Sequence, residues 1–315
     1  MTRSALAGLG CTLALLLACA GCHRDEHRKK LIVIIVPSQD NPYFKAEADA
    51  AAASALELGY RVRVDAHEDD AYRQDNLVDA AIASNAVAII LDNAGADPTV
   101  SAVRRATRAG IAVLLIDREI DATGIAKAQI ISDNDQGARL VAAEFTRDLN
   151  GRGEYAELLG KESDTNAQIR TRGFHAVLDR YPDLKLVSAQ SANWSQAEAF
   201  QKTETMLQAH GNIAGIIAGN DTMALGAAAA LKSAGKSNVQ ITGFDGSPDA
   251  IDAIERGELR ATVLQPAVLI SRLAVDEADR YLKTGSTGRP ELQIIPCELV
   301  TKSDAGDFRN FEKVR

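Results

Sequence analysis

The chain has 315 residues, of which 46% are hydrophobic and 25% are charged, and its formal net charge is −8. This composition is typical of a globular protein that is long enough for two domains. The acidic balance argues against a general binder of phosphate backbones, so nucleic acid is not an expected partner.

The N-terminus has the pattern of an export signal. A short lead containing Arg3 is followed by an apolar stretch over 5–20 and then by a strongly polar segment over 23–30. The apolar stretch is shorter than the roughly 20 residues that a membrane-spanning helix needs. We therefore predict a signal peptide over 1–21 that is removed on export, rather than a transmembrane anchor.

The end of this signal resembles the lipobox of bacterial lipoproteins. In that motif a small-residue cleavage site precedes a cysteine that receives lipid, as Ala20 and Gly21 precede Cys22 here. The position three before Cys22 is Cys19 instead of the usual leucine, which leaves Cys19 as a second candidate. The resemblance implies lipidation at Cys22 and a polar tether over 22–30 that links the protein to the membrane. A simple secreted protein is the alternative.

The other cysteines indicate a core without disulfides. Cys11 and Cys19 leave with the signal, and only Cys297 stays in the folded part, where we expect it to be a small buried hydrophobic residue. The sequence has no CxxC motif and no cysteine and histidine cluster with metal-binding spacing. We therefore expect no metal and no cofactor.

From residue 31 onward, short β-branched runs alternate with alanine-rich amphipathic segments. The unbroken apolar run Leu31–Val36 is typical of a parallel strand that is covered on both faces. Pro42 near the start of the next segment, and Gly59 after it, are helix start and stop signals. After 31–36, the predicted strands are 60–64, 87–91 and 113–116, and the predicted helices are 44–58, 74–84 and 99–109. This alternation predicts a doubly wound α/β domain.

A second series of the same kind follows residue 131. Its strands are predicted over 155–159, 184–188, 215–218, 239–242 and 261–264. Its helices are predicted over 136–149, 167–181, 196–210, 223–234 and 248–256. The two series indicate two α/β domains of similar size.

Polar residues stand directly after the apolar runs of both series. Each of them alone is a typical turn former or helix cap. In open α/β sheets, however, ligands bind outside the carboxyl ends of the strands, so their recurrence predicts a shared cleft. The polar residues are Ser38, Gln39, Asp40, Asn41, Asp92, Asn93, Asp117, Arg118, Asn220, Asp221, Asp245 and Gln265, and the aromatic Phe244 stands among them.

Four motifs are distinctive in combination. They are Asp-Asn-Pro-Tyr-Phe at 40–44, Leu-Ile-Asp-Arg at 115–118, Gly-Asn-Asp-Thr-Met-Ala-Leu-Gly at 219–226 and Gly-Phe-Asp-Gly-Ser-Pro-Asp at 243–249. With them the chain resembles the periplasmic sugar-binding proteins of the ribose-binding type over nearly all of 31–290. The resemblance implies a periplasmic binding protein-like fold of type I, an α/β fold with two doubly wound parallel-sheet lobes joined by a multi-strand hinge. Transcription regulators built on the same core carry a DNA-binding helix pair where this chain has its export signal.

The resemblance also implies a ligand site for a monosaccharide or a related polyol. Such a site needs charged or amide groups around the hydroxyls and aromatic rings against the apolar faces of the sugar. Asp117 and Arg118 match a paired hydroxyl contact of the family. Further polar contacts match Asn41, Asn220, Asp245 and Gln265, and stacking positions match Tyr43, Phe44 and Trp194, with Phe244 nearby. A core-filling role is the alternative for Trp194.

Two positions depart from the ribose pattern. Asp92 stands where the ribose binders have asparagine, and Gln168 stands where they have an arginine. The alignment here leaves open whether Gln168 or Arg170 faces the ligand. The departures favour a ligand other than ribopyranose, such as another pentose, a furanose hexose or a linear polyol.

The family further implies an N-terminal lobe of 31–131 plus 266–294 and a C-terminal lobe of 132–265 plus 295–315. Connecting strands near 132–134, 264–266 and 294–296 would act as a hinge that closes on the ligand. A monomer that is tethered in the periplasm would then deliver its ligand to the permease of an ABC transporter.

Two other functions compete with transport. Asp92, Asp117, Asp221 and Asp245 would bring carboxylates into the cleft, and paired carboxylates cleave glycosidic bonds. The chain has no Gly-x-Ser-x-Gly elbow, no His-Glu-x-x-His motif and no phosphate loop, so we predict a binding protein and not an enzyme. Ligand sensing for chemotaxis or for a sensor kinase stays open as the alternative output.

Overall fold

The structure, a computed structural model, describes residues 30–314. The predicted signal peptide, the lipidation site Cys22 and nearly all of the tether lie outside the described residues. Within 30–314, none of the helices combines the length and the apolar character that crossing a bilayer requires.

The first part of the chain alternates strands and helices as predicted. In chain order the elements are β1 (Leu31–Val36), α1 (Pro42–Glu57), β2 (Arg61–Ala66), α2 (Ala71–Ala83), β3 (Ala88–Leu91), α3 (Ala96–Arg108), β4 (Ala112–Ile116) and β5 (Ala128–Ser132). Asn41 caps α1, Pro42 occupies its first turn, and Gly59 follows it with a φ of 87°. These local signals fix where the helix begins and ends.

The second series is also present. It comprises α4 (Asn134–Asp148), β6 (Gly153–Leu159), α5 (Thr165–Leu178), β7 (Leu184–Ser191), α6 (Gln196–Ala209), β8 (Ile213–Ala218), α7 (Asp221–Ser233), β9 (Gln240–Thr242), α8 (Pro248–Arg256) and β10 (Ala261–Leu264). The predicted bounds of α8 and β10 are confirmed. α5 begins at Thr165, two residues before the predicted start, so that Thr165 and Asn166 belong to the helix.

The last part of the chain holds elements that the sequence analysis did not assign. They are α9 (Ala267–Thr284), β11 (Leu292–Ile295), β12 (Glu298–Thr301), a 3₁₀ turn (Ala305–Asp307), β13 (Phe308–Arg309) and β14 (Glu312–Lys313). α9 packs on α1 and ends at Gly285, which has a φ of 80°. The terminal hairpin of β13 and β14 lies against α8 and α9, and so it touches both halves of the molecule.

Strands β1 to β12 form two six-stranded sheets, which confirms the predicted α/β fold with two parallel-sheet lobes. The order in the first sheet is β2-β1-β3-β4-β5-β11, and in the second β7-β6-β8-β9-β10-β12. Strand β12 pairs antiparallel with β10 at the edge of the second sheet. Alternate residues of β1 enter two separate cores, Ile32 and Ile34 on the side of α1 and α9, and Val33 and Ile35 on the side of α2 and α3. Burial on both faces explains the unbroken apolar run.

The chain passes between the two sheets three times. The passages lie between β5 and α4, between β10 and α9, and between β11 and β12. At the third passage the Gln136 side chain donates to the Cys297 carbonyl at 3.1 Å and accepts from its N–H at 3.0 Å. Cys297 is buried, and burial raises the pKa of its thiol to about 12. The lobe boundaries and the hinge role of these passages stay predictions.

Candidate ligand-binding site

A cavity of about 260 Å³ lies between the carboxyl ends of the two sheets. Only a small ligand fits a space of this size. Both lobes line it, and Gln265 lines it at the second passage of the chain. The lining residues are Asn41, Tyr43, Phe44, Asp117, Arg118, Asp164, Asn166, Arg170, Trp194, Asn220, Asp245 and Gln265.

Two asparagines serve as helix caps and as cavity walls at the same time. The Oδ1 atom of Asn41 accepts from the Tyr43 N–H at 3.0 Å, and that of Asn220 accepts from the Met223 N–H at 2.9 Å. Among residues 30–314, no group accepts a hydrogen bond from either Nδ2 atom. The cap orients each amide, and its N–H₂ group stays available to a ligand.

Arg118 joins the two lobes through an almost fully buried guanidinium group. Its Nη1 donates to Asp69 Oδ1 at 3.1 Å and to the Asn93 carbonyl at 2.9 Å. Its Nε lies 2.9 Å from Asp164 Oδ2, which belongs to the other lobe. The guanidinium carbon also lies 5.1 Å from the centre of the Phe44 ring. Surrounding carboxylates raise the pKa of Arg118 against the effect of burial, so the group is permanently charged.

Arg170 occupies the corresponding place in the second lobe. It donates to Asn134 Oδ1 at 2.7 Å and to the Gly219 carbonyl at 2.8 Å, and it pairs with Asp245 Oδ1 at 3.3 Å. Its guanidinium carbon lies 4.0 Å from the centre of the Phe244 ring. The sequence left open whether Gln168 or Arg170 faces the ligand, and the structure places Arg170 in the cavity wall.

Asp117 links Tyr43 to the second lobe. Its Oδ1 accepts from the Tyr43 hydroxyl at 3.2 Å, and its carbonyl accepts from Asn166 Nδ2 at 3.3 Å. Burial raises the pKa of Asp117, while Arg118 and Arg170 oppose that rise. Its φ of 58° is left-handed, a conformation that aspartate adopts more readily than most residues.

Trp194 forms part of the wall beside Arg170, with the guanidinium carbon 5.4 Å from the ring centre. Its Nε1 donates to Asp164 Oδ2 at 3.1 Å. The ring lies so close to the Gly160 backbone that a Cβ atom there would be 2.0 Å from it, so only glycine fits. The indole therefore holds Asp164 in place for its contact with Arg118.

Asp245 and Gln265 are neighbours in the cavity wall. Gln265 Nε2 donates to Asp245 Oδ1 at 2.8 Å, while the Oε1 atom of Gln265 is buried without a hydrogen-bond partner among residues 30–314. Burial raises the pKa of Asp245, and the nearby Arg170 opposes the rise. The free amide oxygen is an acceptor that a ligand hydroxyl would satisfy.

Three of the predicted site residues do not line the cavity. Asp92 is fully buried behind Arg118, with its Oδ1 atom 3.5 Å from Arg118 Nε. Phe244 is fully buried beneath Arg170. Gln168 is exposed, and its amide donates to the Glu162 carbonyl at 3.1 Å. The expectation that Gln168 approaches the ligand does not fit this placement, because its side chain leaves the cleft.

Asp164 and Asn166 line the cavity and were missed in the sequence. Asp164 caps α5, accepting from the Asn166 N–H at 2.9 Å. A cap of this kind, coming shortly after the apolar end of β6, follows the same strand-end rule that found Asn41 and Asn220. Within the described part of the chain, no group of three or more His, Cys, Asp or Glu side chains is placed to hold a metal ion.

The family model described as a periplasmic binding protein domain matches residues 32–287. The chain belongs to this family. Two proteins named D-apiose import binding protein, from Paraburkholderia graminis and Actinobacillus succinogenes, are 58% and 53% identical to it. These matches cover 89% of this chain and 90% and 91% of theirs. A ribose import binding protein of Escherichia coli is 30% identical over 81% of this chain and 86% of its own.

Solved structures of the same family superpose closely on this periplasmic binding protein. A solute-binding protein of an Actinobacillus succinogenes ABC transporter with bound D-allose has a TM-score of 0.83 at 28% identity, covering 89% of this chain and 100% of that one. The arabinose-binding component from Shewanella, with bound L-arabinofuranose, has a TM-score of 0.84 at 27% identity, covering 91% and 96%. The resemblance to ribose-binding-type proteins is confirmed. These relatives are binding components of import systems, and this family member is a binding protein rather than an enzyme.

Proposed function

We propose that this periplasmic binding protein captures D-apiose between its lobes and delivers it to the permease of an ABC import system. The observation that carries the proposal is the small interlobe cavity, whose walls present hydrogen-bonding groups that have no partner within residues 30–314. The two relatives named for D-apiose import, each more than half identical to this chain, select this branched pentose among the sugars that such a cavity admits.

The balance of charges in the cavity suits a neutral ligand. Asp117, Asp164 and Asp245 would repel an acidic ligand, while Arg118 and Arg170 would repel a cationic one. A sugar hydroxyl donates to a carboxylate and accepts from an arginine or asparagine N–H group, so one neutral ligand satisfies both kinds of wall. This chemistry supports a monosaccharide.

Direct contacts between the lobes define the closed form of the protein. Asn166 donates to the Asp117 carbonyl, Arg118 pairs with Asp164, and Lys161 Nζ donates to the Asp69 carbonyl at 3.0 Å. A ligand that bonds to both lobes adds to these contacts only when the cleft is closed. Binding therefore shifts the population towards the closed form, which is the shape that a permease would recognise.

Calorimetric titration of the purified protein tests the sugar. We expect D-apiose to bind more tightly than D-ribose, D-allose or myo-inositol, because the shape and hydroxyl positions of a ligand must satisfy fixed buried groups. At about 100 times its dissociation constant, D-apiose should stabilise the fold by roughly 2.7 kcal/mol, which thermal unfolding detects. Tighter binding of D-ribose would contradict the choice of D-apiose, and a response to amino acids alone would contradict the sugar class.

The tether is tested by replacing cysteine with serine at two neighbouring positions. We propose lipidation at Cys22, so Cys22→Ser should move the exported protein from the membrane fraction to the soluble periplasmic fraction. Cys19→Ser is the matched control and should stay in the membrane fraction. The reverse pattern would assign the anchor to Cys19, and release of the unaltered protein would show that it has no anchor.

A further inference from the structure

Two buried carboxyl groups face each other behind the cavity. Glu47 of α1 and Asp92 after β3 are both fully buried. No N–H or O–H group within 30–314 donates to any of their four oxygens. Asp92 nevertheless lies close enough to Glu47 to raise the pKa of the Glu47 carboxyl group. Ionised carboxylates only accept hydrogen bonds, so a hydrogen bond between the two groups requires a proton on one of them.

The surrounding charges indicate which carboxyl group carries the proton. Burial raises the pKa of Asp92, but Arg118, whose Nε lies 3.5 Å from Asp92 Oδ1, opposes that rise and favours the ionised form. Glu47 forms no ion pair with any residue of 30–314, and a second buried charge beside Asp92 would be costly. The charged and titratable groups that face the pair are Asp117 and Arg118 after β4, His67 and Asp69 after β2, Asp164 of the second lobe, and Tyr43 on the helix of Glu47 itself.

We propose that Glu47 is a positioning residue of the ligand site, whose carboxyl O–H donates to Asp92 so that the ionised Asp92 holds Arg118 from behind. Arg118 Nη1 donates to Asp69 and to the Asn93 carbonyl, and Nε lies 2.9 Å from Asp164 Oδ2 and 3.5 Å from Asp92 Oδ1. The remaining nitrogen, Nη2, has no hydrogen-bond partner among the described residues. Because the Arg118 side chain lines the cavity, a bound sugar hydroxyl would accept a hydrogen bond from Nη2. This inference rests on the proposed sugar-binding function.

The shared proton makes affinity depend on pH. Burial, followed by the Asp92 charge, raises the pKa of Glu47 well above its ordinary value. Because the pKa of Glu47 is raised, the stabilising contribution of its proton is complete at pH values below the ordinary pKa of a glutamate. This contribution is lost as the pH rises through the raised pKa. Loss of the proton would leave two adjacent buried carboxylates competing for Arg118, so the affinity for sugar should fall at alkaline pH.

Two glutamate variants separate the proton from the side-chain volume. Glu47→Gln keeps an N–H donor to Asp92 at every pH, so it should bind D-apiose with nearly unaltered affinity and lose the alkaline fall. Glu47→Leu leaves Asp92 without a donor and should weaken binding more than about tenfold at all pH values. Glu144→Gln is the control, because Glu144 is a buried glutamate of the second lobe that pairs with Arg147.

The decisive measurement is the dissociation constant of D-apiose across neutral and alkaline pH, determined by calorimetry for all four proteins. His175, whose pKa the Glu157 hydrogen bond raises to about 9, titrates in every variant and cancels in the comparison. His67 stays neutral over this range, because burial lowers its pKa to about 4. An alkaline fall in Glu47→Gln equal to that of the unaltered protein would overturn the proposal, as would normal binding by Glu47→Leu.

Infrared spectroscopy tests the proton without any sugar. At neutral pH the unaltered protein should show the carbonyl band of a protonated carboxyl group that Glu47→Gln lacks and Glu144→Gln keeps. If D-apiose does not bind the unaltered protein, the proposed function fails, yet this difference spectrum still decides whether Glu47 holds a proton. Absence of the Glu47 band would overturn the shared-proton arrangement even if D-apiose binds.

Discussion

Arg170→Met is expected to abolish D-apiose binding and to destabilise the second lobe. Arg170 is buried, and its removal leaves Asp245 without its cationic partner and leaves Asn134 Oδ1 and the Gly219 carbonyl without donors. Breaking a buried ion pair from one side typically costs roughly 3 to 5 kcal/mol. The free energy of unfolding, measured by urea denaturation, should fall by an amount of this size, and calorimetry should detect no sugar binding.

The double variant Arg170→Met with Asp245→Asn separates stability from binding. Neutralising Asp245 removes the stranded charge, and Gln265 still bonds to the side chain at position 245. The double variant should therefore recover much of the lost stability while it remains unable to bind, since the donors to the ligand are gone. Recovery of binding together with stability would show that Arg170 supports the fold without contacting the sugar.

The rule that ligands bind outside the carboxyl ends of parallel strands was enough to predict those cavity residues that follow a clear apolar run. Asn41, Asp117, Asn220 and Asp245 each come within a few residues after such a run, and the structure brings all four to the cavity wall. The parallel arrangement of the strands makes this outcome a matter of geometry, because the carboxyl ends of parallel strands meet at one edge. The same reasoning predicted two α/β lobes, since the strand and helix periods alternate throughout 31–264.

Positions inside helices could not be assigned in the same way. Gln168 and Arg170 are two residues apart on α5, which places them on opposite sides of a helix with 3.6 residues per turn. A small alignment error therefore exchanges an exposed residue for one in the cavity wall. Predicting the start of α5 too late also concealed the Asp164 cap.

Glu47 is a similar case on α1. It is fully buried while Asp49, two positions later, is exposed, and both lie in an alanine-rich segment with little contrast between its faces. Acidic residues are almost never fully buried unless they are paired, so nothing in this segment singles out Glu47 as a buried residue. Only the folded chain shows that Asp92 lies near it.

Asp117→Ala is expected to weaken D-apiose binding by well over about tenfold, because removing one member of a desolvated charge-assisted set costs roughly 2 to 5 kcal/mol. Asp117 is almost fully buried, its Oδ1 accepts from the Tyr43 hydroxyl, and its Oδ2 lies 3.7 Å from Arg118 Nε. The alanine variant leaves that hydroxyl, and the sugar hydroxyls that would share the carboxylate, without an acceptor. Calorimetric titration of the folded variant measures the loss.

Two matched variants assign this loss to the carboxylate. Alanine tolerates the left-handed φ of Asp117 less well than aspartate, so part of the effect of Asp117→Ala could come from the backbone. Asp117→Asn suits the same φ and keeps one acceptor oxygen, so its affinity should lie between those of the unaltered protein and Asp117→Ala. Tyr43→Phe removes the protein donor alone and should cost less than either Asp117 variant. Unaltered affinity in a folded Asp117→Ala variant would remove Asp117 from the ligand contacts and leave Arg118 and Arg170 as the groups that orient the sugar.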